Sequence, residues 1–259
     1  MYMKKIKILS LGVLTFFLCT IGSARAEDVL QTSDFVGITF WIISLGMLAT
    51  TIFLFVERGS VATMWKIPVT VAGVITGVAF VHYMYIRGVW IQTSDTPIVY
   101  RYIDWFITIP LQTVEFYLIL RVIKKIPSII FWRLLIAALV MLIGEYLGEA
   151  GYILPFIGFL IGIMGWVYIL FEIFAGDAAK VSERVINKDL KKAFNQMRMI
   201  VAIGWSIYPL GYIFGFPMMG IIDDNTLNVI YNLSDFVNRI LFVLIIWFVA
   251  AKNTPGFRL

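Results

Sequence analysis

Long apolar segments separated by short polar links dominate the chain. A helix needs about 20 apolar residues to cross a hydrocarbon core of about 30 Å, and in lipid it satisfies its own backbone hydrogen bonds. Seven segments meet this length, at roughly 35–56, 64–86, 98–120, 128–147, 152–175, 196–218 and 227–251. The pattern predicts an all-α membrane protein, a seven-transmembrane-helix up-and-down bundle. The longest polar link, 175–192, follows the fifth segment.

Composition supports this class. Of the 259 residues, 61% are hydrophobic and 14% are charged, which excludes a disordered chain and an ordinary soluble domain. Four of the basic residues precede residue 27, and the remaining 17 basic and 16 acidic residues nearly balance, so nucleic acid is not an expected partner. Cys19 is the one cysteine. We find no nucleophile–base pair and no metal cluster, and therefore expect neither an enzyme nor a metal site.

The first 26 residues have the organisation of a secretory signal peptide. Lys4, Lys5 and Lys7 precede an apolar run over 8–20, and Ala24-Arg25-Ala26 forms an A-x-A cleavage site. We predict a cleavable signal peptide at 1–26 and a membrane domain at 27–259. The alternative is a short additional membrane anchor, for which the apolar run is short.

Lysines and arginines concentrate at alternate links. Those of the odd-numbered links and the C-terminus are Arg58, Lys66, Arg121, Lys124, Lys125, Arg133, Lys180, Arg184, Lys188, Lys191, Lys192, Lys252 and Arg258. The acids assigned to the other links are Asp95, Glu145, Glu149, Asp223 and Asp224. The positive-inside rule then predicts an outside N-terminus and a cytoplasmic C-terminus.

Arg239 lies near the middle of the last apolar segment. A guanidinium at that depth is costly, so it indicates a functional site and requires a partner. Asp235, at i−4, shares its helix face and is the candidate partner.

The third segment carries two carboxyls on one helix face. Asp104 and Glu115 are eleven residues apart, about 16 Å along a helix, with Thr108 and Arg101 beside Asp104. Such a face is typical of a proton relay; a structural ion pair with one protonated Glu explains it equally well. His82, the single histidine, is either a functional group or a satisfied core residue.

Aromatic residues recur around Pro209 in the sixth segment. Trp205, Tyr208 and Tyr212 follow helical spacing, and Pro209 predicts a kink. This pattern arises more often from packing than from a ligand site, although a polyene ligand would need such walls.

Four runs resemble the proteorhodopsin branch of the microbial (type 1) rhodopsins: RYIDWFITIPLQTVEFYLIL, FVHYMYIRGVW, GWSIYPLGY and YNLSDFVNRILF. The resemblance covers the whole chain. It implies a seven-helix retinal photoreceptor protein of the bacterial inner membrane that transports protons, binds all-trans retinal, and often assembles as a pentamer or hexamer.

The resemblance also implies residue roles. Asp104 corresponds to the primary counterion and proton acceptor, Asp235 to the second counterion, and Glu115 to the cytoplasmic proton donor. Arg101, His82 and Thr108 correspond to members of the counterion complex. Trp41 corresponds to the aromatic residue that meets the histidine across the subunit boundary. The retinal pocket corresponds to Trp105, Gln112, Trp166, Trp205, Tyr208, Pro209 and Tyr212, with Gln112 matching the blue type.

One position departs from the family pattern. The family's last helix has a lysine after Asn238 that holds retinal as a Schiff base, and here Arg239 occupies that position. A guanidinium stays protonated and supplies no neutral amine for an imine, so covalent retinal is not expected. Arg239 still provides a cation, and we expect Arg239 and Arg101 to balance Asp104 and Asp235.

Three functions remain open. The first is a lysine-lacking rhodopsin homologue that does not pump alone. It would be a structural or regulatory subunit in a homo-oligomer or with a lysine-bearing rhodopsin, or it would bind a ligand noncovalently. The second is a light-driven outward proton pump. The third is a sensory photoreceptor, which the acidic Glu115 disfavours.

Overall fold

A computed structural model of the protein describes residues 30–93, 98–123, 125–215 and 218–257. The predicted signal peptide, 1–26, lies outside these residues, as do Asp95, Lys124 and Arg258 of the polar links. The chain divides into a short N-terminal unit, 1–34, and a main unit, Phe35–Leu259, which contains the helices described below.

The main unit is helical. Its described residues form α1 (Phe35–Glu57), α2 (Lys66–Thr93), α3 (Ile98–Ile123), α4 (Ile129–Glu149), α5 (Pro155–Phe174), α6 (Asp177–Glu183), α7 (Lys188–Met199), α8 (Ile207–Phe214) and α9 (Asp224–Lys252). A 3₁₀ turn, Thr63–Trp65, precedes α2, and a π-helical turn, Ile200–Gly204, joins α7 to α8. Within the described ranges there is no strand, and seven stretches are long and apolar enough to cross a membrane. The predicted seven-helix all-α bundle is confirmed.

Consecutive spans pack side by side, and α9 closes the bundle against α1 and α2. The closest approach is between α4 and α5, where glycines face each other. A Cβ on Gly158 would lie 2.6 Å from the Cα of Gly148, and one on Gly165 would lie 2.7 Å from the Cβ of Met141. Small residues at such positions let helix backbones approach closely, which is the usual basis of packing in lipid.

The predicted polar link 175–192 is wrong as a continuous link. It contains α6 and the start of α7, so the sixth span begins at Lys188 rather than at 196. The reason is amphipathicity: Leu190, Phe194 and Met197 are buried on one face of α7, and the lysines occupy the opposite face. Hydrophobicity averaged over a long window misses a helix of this kind.

Glu145 and Glu149 were also assigned to a link, and both lie in the last turns of α4. Glu149 accepts a hydrogen bond of 2.8 Å from the hydroxyl of Tyr102 on α3. This partner lets the helix continue through an acidic residue beyond the predicted end at 147.

The start of α9 is fixed by a side-chain cap. Asp223 accepts hydrogen bonds from the hydroxyl and the amide of Thr226, at 2.7 and 3.0 Å. These bonds hold the pKa of the Asp223 carboxyl below its usual value. The cap fixes the residue at which α9 begins. From this start, Asp235 and Arg239 lie on the buried face of the helix.

Candidate functional site

Arg239 lies at the centre of a buried charge cluster between α3 and α9. Its Nη1 lies 2.6 Å from Oδ2 of Asp104, and its Nη2 lies 3.3 Å from Oδ2 of Asp235. All three side chains are at most 2% exposed. The predicted pairing with Asp235 is confirmed, and the same guanidinium also bridges to the neighbouring helix.

Asp235 is held by two tyrosines as well as by Arg239. The hydroxyl of Tyr83, on α2, donates to Oδ2 of Asp235, and the hydroxyl of Tyr208, on α8, donates to Oδ1. Both carboxylate oxygens therefore have charge-assisted hydrogen bonds from other spans. The cluster thus connects α2, α3, α8 and α9.

Asp104 has fewer hydrogen-bond partners than Asp235. Its Oδ1 has no hydrogen-bond partner among the described residues, so Arg239 is its principal contact. Thr108 is buried on the same face of α3, as predicted, and its hydroxyl donates to the backbone oxygen of Asp104 at 3.0 Å. Thr108 therefore supports the helix and not the carboxylate.

Arg101 forms no direct ion pair with either aspartate among the described residues, so the expected contribution of its charge to the balance stays a prediction. Its Nη2 donates to Oδ1 of Asn232 at 3.2 Å and to Oδ1 of Asn228. Among the basic residues in the part of the chain that the structure describes, Arg239 alone forms an ion pair with either aspartate. The reason is that the seventh span offers Arg101 two neutral oxygens closer than either carboxylate.

His82 contacts a residue of the cluster, and Trp41 contacts Arg87. The ring of His82 meets the ring of Tyr83 edge to face, with 5.8 Å between centroids. The guanidinium carbon of Arg87 lies 4.1 Å from the centroid of Trp41, a cation–π contact within the chain. The subunit contact predicted for Trp41 stays a prediction.

Glu115 occupies different surroundings further along α3. It is fully buried, and neither carboxylate oxygen has a hydrogen-bond partner among the described residues. Gln112, one turn earlier, is also buried, and its Nε2 lacks a partner within the same ranges. Glu115 and Gln112 are therefore two buried polar side chains of α3 that have no oppositely charged partner among the described residues.

An aromatic cavity lies between α3, α4, α5 and α8. Its volume is about 20 Å³. It is lined by Trp105, Ile109, Met141, Glu145, Ile163, Trp166, Trp205, Tyr208 and Pro209. Five of the seven predicted pocket residues meet there. Gln112 and Tyr212 are not in this lining, and the Tyr212 hydroxyl donates instead to the backbone oxygen of Pro155 at 3.0 Å.

The π-helical turn shapes one wall of this cavity. The amide of Trp205 bonds to the oxygen of Ile200 at 3.1 Å, which leaves the oxygen of Val201 without that donor. Trp166 Nε1 donates to the Val201 oxygen at 3.0 Å, and Asn238 Nδ2 donates to the Gly204 oxygen at 2.9 Å. The π-helical turn ends five residues before Pro209, which lies inside α8, so the kink predicted at Pro209 itself stays a prediction. Neighbouring spans satisfy the freed carbonyls.

Four residues of this region were not predicted as site residues: Tyr83, Glu145, Asn228 and Asn232. One signal was available for the asparagines: positions 228, 232, 235 and 239 recur at intervals of four, three and four residues, a polar stripe along one face of α9. No comparable signal distinguished Tyr83 from an ordinary aromatic residue.

Comparisons with known proteins agree with this architecture. The family model of bacteriorhodopsin-like protein matches residues 34–253. The chain is 49% identical over 234 residues to a blue-light absorbing proteorhodopsin of Gamma-proteobacterium Hot 75m4, covering 90% of this chain and 93% of that protein. It is 47% identical over 227 residues to a green-light absorbing proteorhodopsin of Gamma-proteobacterium EBAC31A08, covering 88% and 91%.

A solved structure shows the same relationship in three dimensions. A blue light-absorbing proteorhodopsin from Med12 superposes with a TM-score of 0.73 at 47% identity, covering 85% of this chain and all of that one. The chain therefore belongs to the bacteriorhodopsin-like family, as a multi-pass membrane protein of the proteorhodopsin branch of the microbial rhodopsins.

Proposed function

We propose that this protein is a lysine-lacking proteorhodopsin homologue that does not bind retinal covalently and does not pump protons alone. It acts as a structural or regulatory membrane subunit, in a homo-oligomer or beside a lysine-bearing rhodopsin. The observation that carries the proposal is the position of Arg239, whose guanidinium lies between Asp104 and Asp235.

The chemistry of this position supports the proposal. A Schiff base forms when a neutral primary amine attacks an aldehyde, and a guanidinium held between two carboxylates cannot supply that amine. Lys252, the one lysine of α9, is thirteen residues further along, about 20 Å by helix rise. Its Nζ lies 3.3 Å from Oδ1 of Asp189, so it is not available to this site.

The aromatic cavity supports the proposal independently. Sites for ligands of drug size have volumes of roughly 300–1,000 Å³. The cavity beside Trp105, Trp166 and Trp205 measures about 20 Å³, and Glu145 contributes a carboxyl to its wall. Because Arg239 has no primary amine, the residues present do not fit covalently bound retinal. The close packing of the cavity walls favours a bundle whose interior is filled by its own side chains.

The family roles of the remaining residues belong to the same proposal. Asp104 is the acceptor position, Asp235 the second counterion position and Glu115 the donor position, kept without the chromophore that would use them. The N-terminus lies outside and the C-terminus in the cytoplasm, in the bacterial inner membrane. No enzymatic activity is proposed.

The test is the visible spectrum of the full chain expressed with all-trans retinal. We expect no red-shifted Schiff-base band from the native chain and a blue-absorbing pigment from Arg239→Lys. Arg101→Lys is the matched control, because it places a lysine at another buried position of the bundle, beside Asn228 and Asn232, and it should remain colourless. A retinal band in the native chain would overturn the proposal.

A light-driven outward proton pump is the second candidate. It is favoured by the buried face of α3 that carries both Asp104 and Glu115. Illuminated cells that carry the native chain should then acidify their medium, and uncoupler should abolish the change. We expect no acidification from the native chain, and co-purification with a lysine-bearing proteorhodopsin if the two assemble.

A further inference from the structure

A groove on the outer surface of the bundle lies between α7 and α9. Its volume is about 720 Å³, and it begins at the end of the bundle where the basic residues concentrate. Its walls are formed by Lys188, Lys191, Lys192, Asn195, Gln196, Met199, Ile200, Leu241 and Ile245. The polarity of these residues falls steadily along α7, from lysine to amide to apolar side chains.

The three lysines at the mouth of the groove have no acidic partner. Within the described part of the chain none of them forms an ion pair. Asp189, the acid among them, pairs with Lys252 instead, at 3.3 Å. Three positive charges are therefore concentrated at one site and are not neutralised by the protein.

The deeper end of the groove is apolar and open. Met199 and Leu241 are 46% and 49% exposed, and Ile245 lies one turn beyond Leu241. From Lys188 to Ile200 the helical rise is about 18 Å, which reaches from a headgroup well into the acyl region. Basic residues at the membrane surface with apolar residues below them match an anionic amphiphile.

We propose that this groove binds one anionic glycerophospholipid. Its phosphate contacts Lys188, Lys191 and Lys192, its glycerol and ester groups meet the two amides, and one acyl chain lies along Met199, Leu241 and Ile245. The site is independent of Arg239 and of the proposed function. It would stabilise the contact between the sixth and seventh spans.

The first experiment compares lipids by native mass spectrometry of the purified full chain. Phosphatidylglycerol and phosphatidylcholine with identical acyl chains are titrated, and we expect the first phosphatidylglycerol to bind at least about tenfold more tightly. The variant Lys188→Gln/Lys191→Gln/Lys192→Gln should raise the Kd for phosphatidylglycerol on the order of 100-fold. Equal binding of both lipids to the native chain would overturn the proposal.

A charge-matched control separates a specific groove from general surface attraction. The variant Lys125→Gln/Lys180→Gln/Arg184→Gln removes three positive charges from a different cavity at the same end of the bundle. It should change the Kd less than about twofold. If it weakens binding as much as the groove variant, the groove is not a defined site.

A third variant tests the apolar end. Leu241→Trp fills the groove without changing charge and should weaken phosphatidylglycerol binding about tenfold, whereas Leu233→Trp, at an exposed position of α9 outside the groove, should not. If glycerol phosphate competes as well as the lipid does, the lysines bind a soluble phosphate and the lipid proposal is wrong. Unchanged lipid binding with lost assembly in the lysine variant would assign the groove to a neighbouring protein chain.

Discussion

Two carboxyls on the same face of α3 have opposite surroundings. Asp104 is 2.6 Å from the guanidinium of Arg239, inside a cluster that also contains Asp235 and two tyrosines. Glu115, eleven residues further, has no hydrogen-bond partner among the described residues. One turn after Arg239, α9 instead presents Phe242, which packs on Phe116 with 5.8 Å between ring centroids.

The difference indicates what residue 239 contributes to the bundle. The half of the site around Arg239 is held by opposite charges from different spans, so removing the cation would leave two buried carboxylates unpaired. The half around Glu115 has no ion pair among the described residues, and Phe116 packs there on Phe242. Arg239 therefore supplies the positive charge between the two aspartates, and its guanidinium offers no neutral primary amine.

The largest effect is expected when the cation is removed. Arg239→Met should destabilise the protein by about 3–5 kcal/mol, because Asp104 loses its one close partner and Asp235 loses its cation. Thermal unfolding in detergent, followed by circular dichroism, measures the change. An unfolding midpoint equal to that of the native chain would show that the cluster does not need a positive charge at 239.

A second substitution checks that the loss comes from charge and not from packing. Asp104→Asn in the Arg239→Met background should recover part of the stability, since it removes one of the unpaired carboxylates. Additive losses in the double variant would instead indicate a packing defect. Arg239→Lys, which keeps the charge, should lie close to the native chain.

A smaller effect is expected when one of the two tyrosines that donate to Asp235 loses its hydroxyl. Tyr83→Phe removes one hydrogen bond to a buried charged group and should cost about 1.5–3 kcal/mol. Tyr85→Phe is the matched control, because Tyr85 lies on the same helix and its hydroxyl makes one long, exposed contact of 3.5 Å with Tyr100. Equal unfolding midpoints for the two variants would remove Tyr83 from the cluster.

Much of the fold could be predicted from the sequence because each span carries its own hydrophobic signal. The seven spans and the pairing of Arg239 with Asp235 depend on spacing within one helix, which periodicity reveals. The identity of the cation beside Asp104 depends on how α3 packs against α9, and spacing within one helix cannot reveal it. The contacts of Arg101 were not predicted for this reason, since its partners Asn228 and Asn232 lie on a distant segment.

The smallest effect is expected at Glu115. Glu115→Gln should lower the free energy of unfolding by less than about 1.5 kcal/mol, because the side chain keeps its volume. Within the described ranges Glu115 has no ion pair, so no ion pair is broken when its carboxyl becomes an amide. Asp104→Asn, the same change on the same helix face, should cost more, since it breaks the pair with Arg239. Thermal unfolding of the two variants in parallel gives the comparison directly. Equal losses would mean that Glu115 has an ionic partner after all, and the contrast between the two halves of α3 would then disappear.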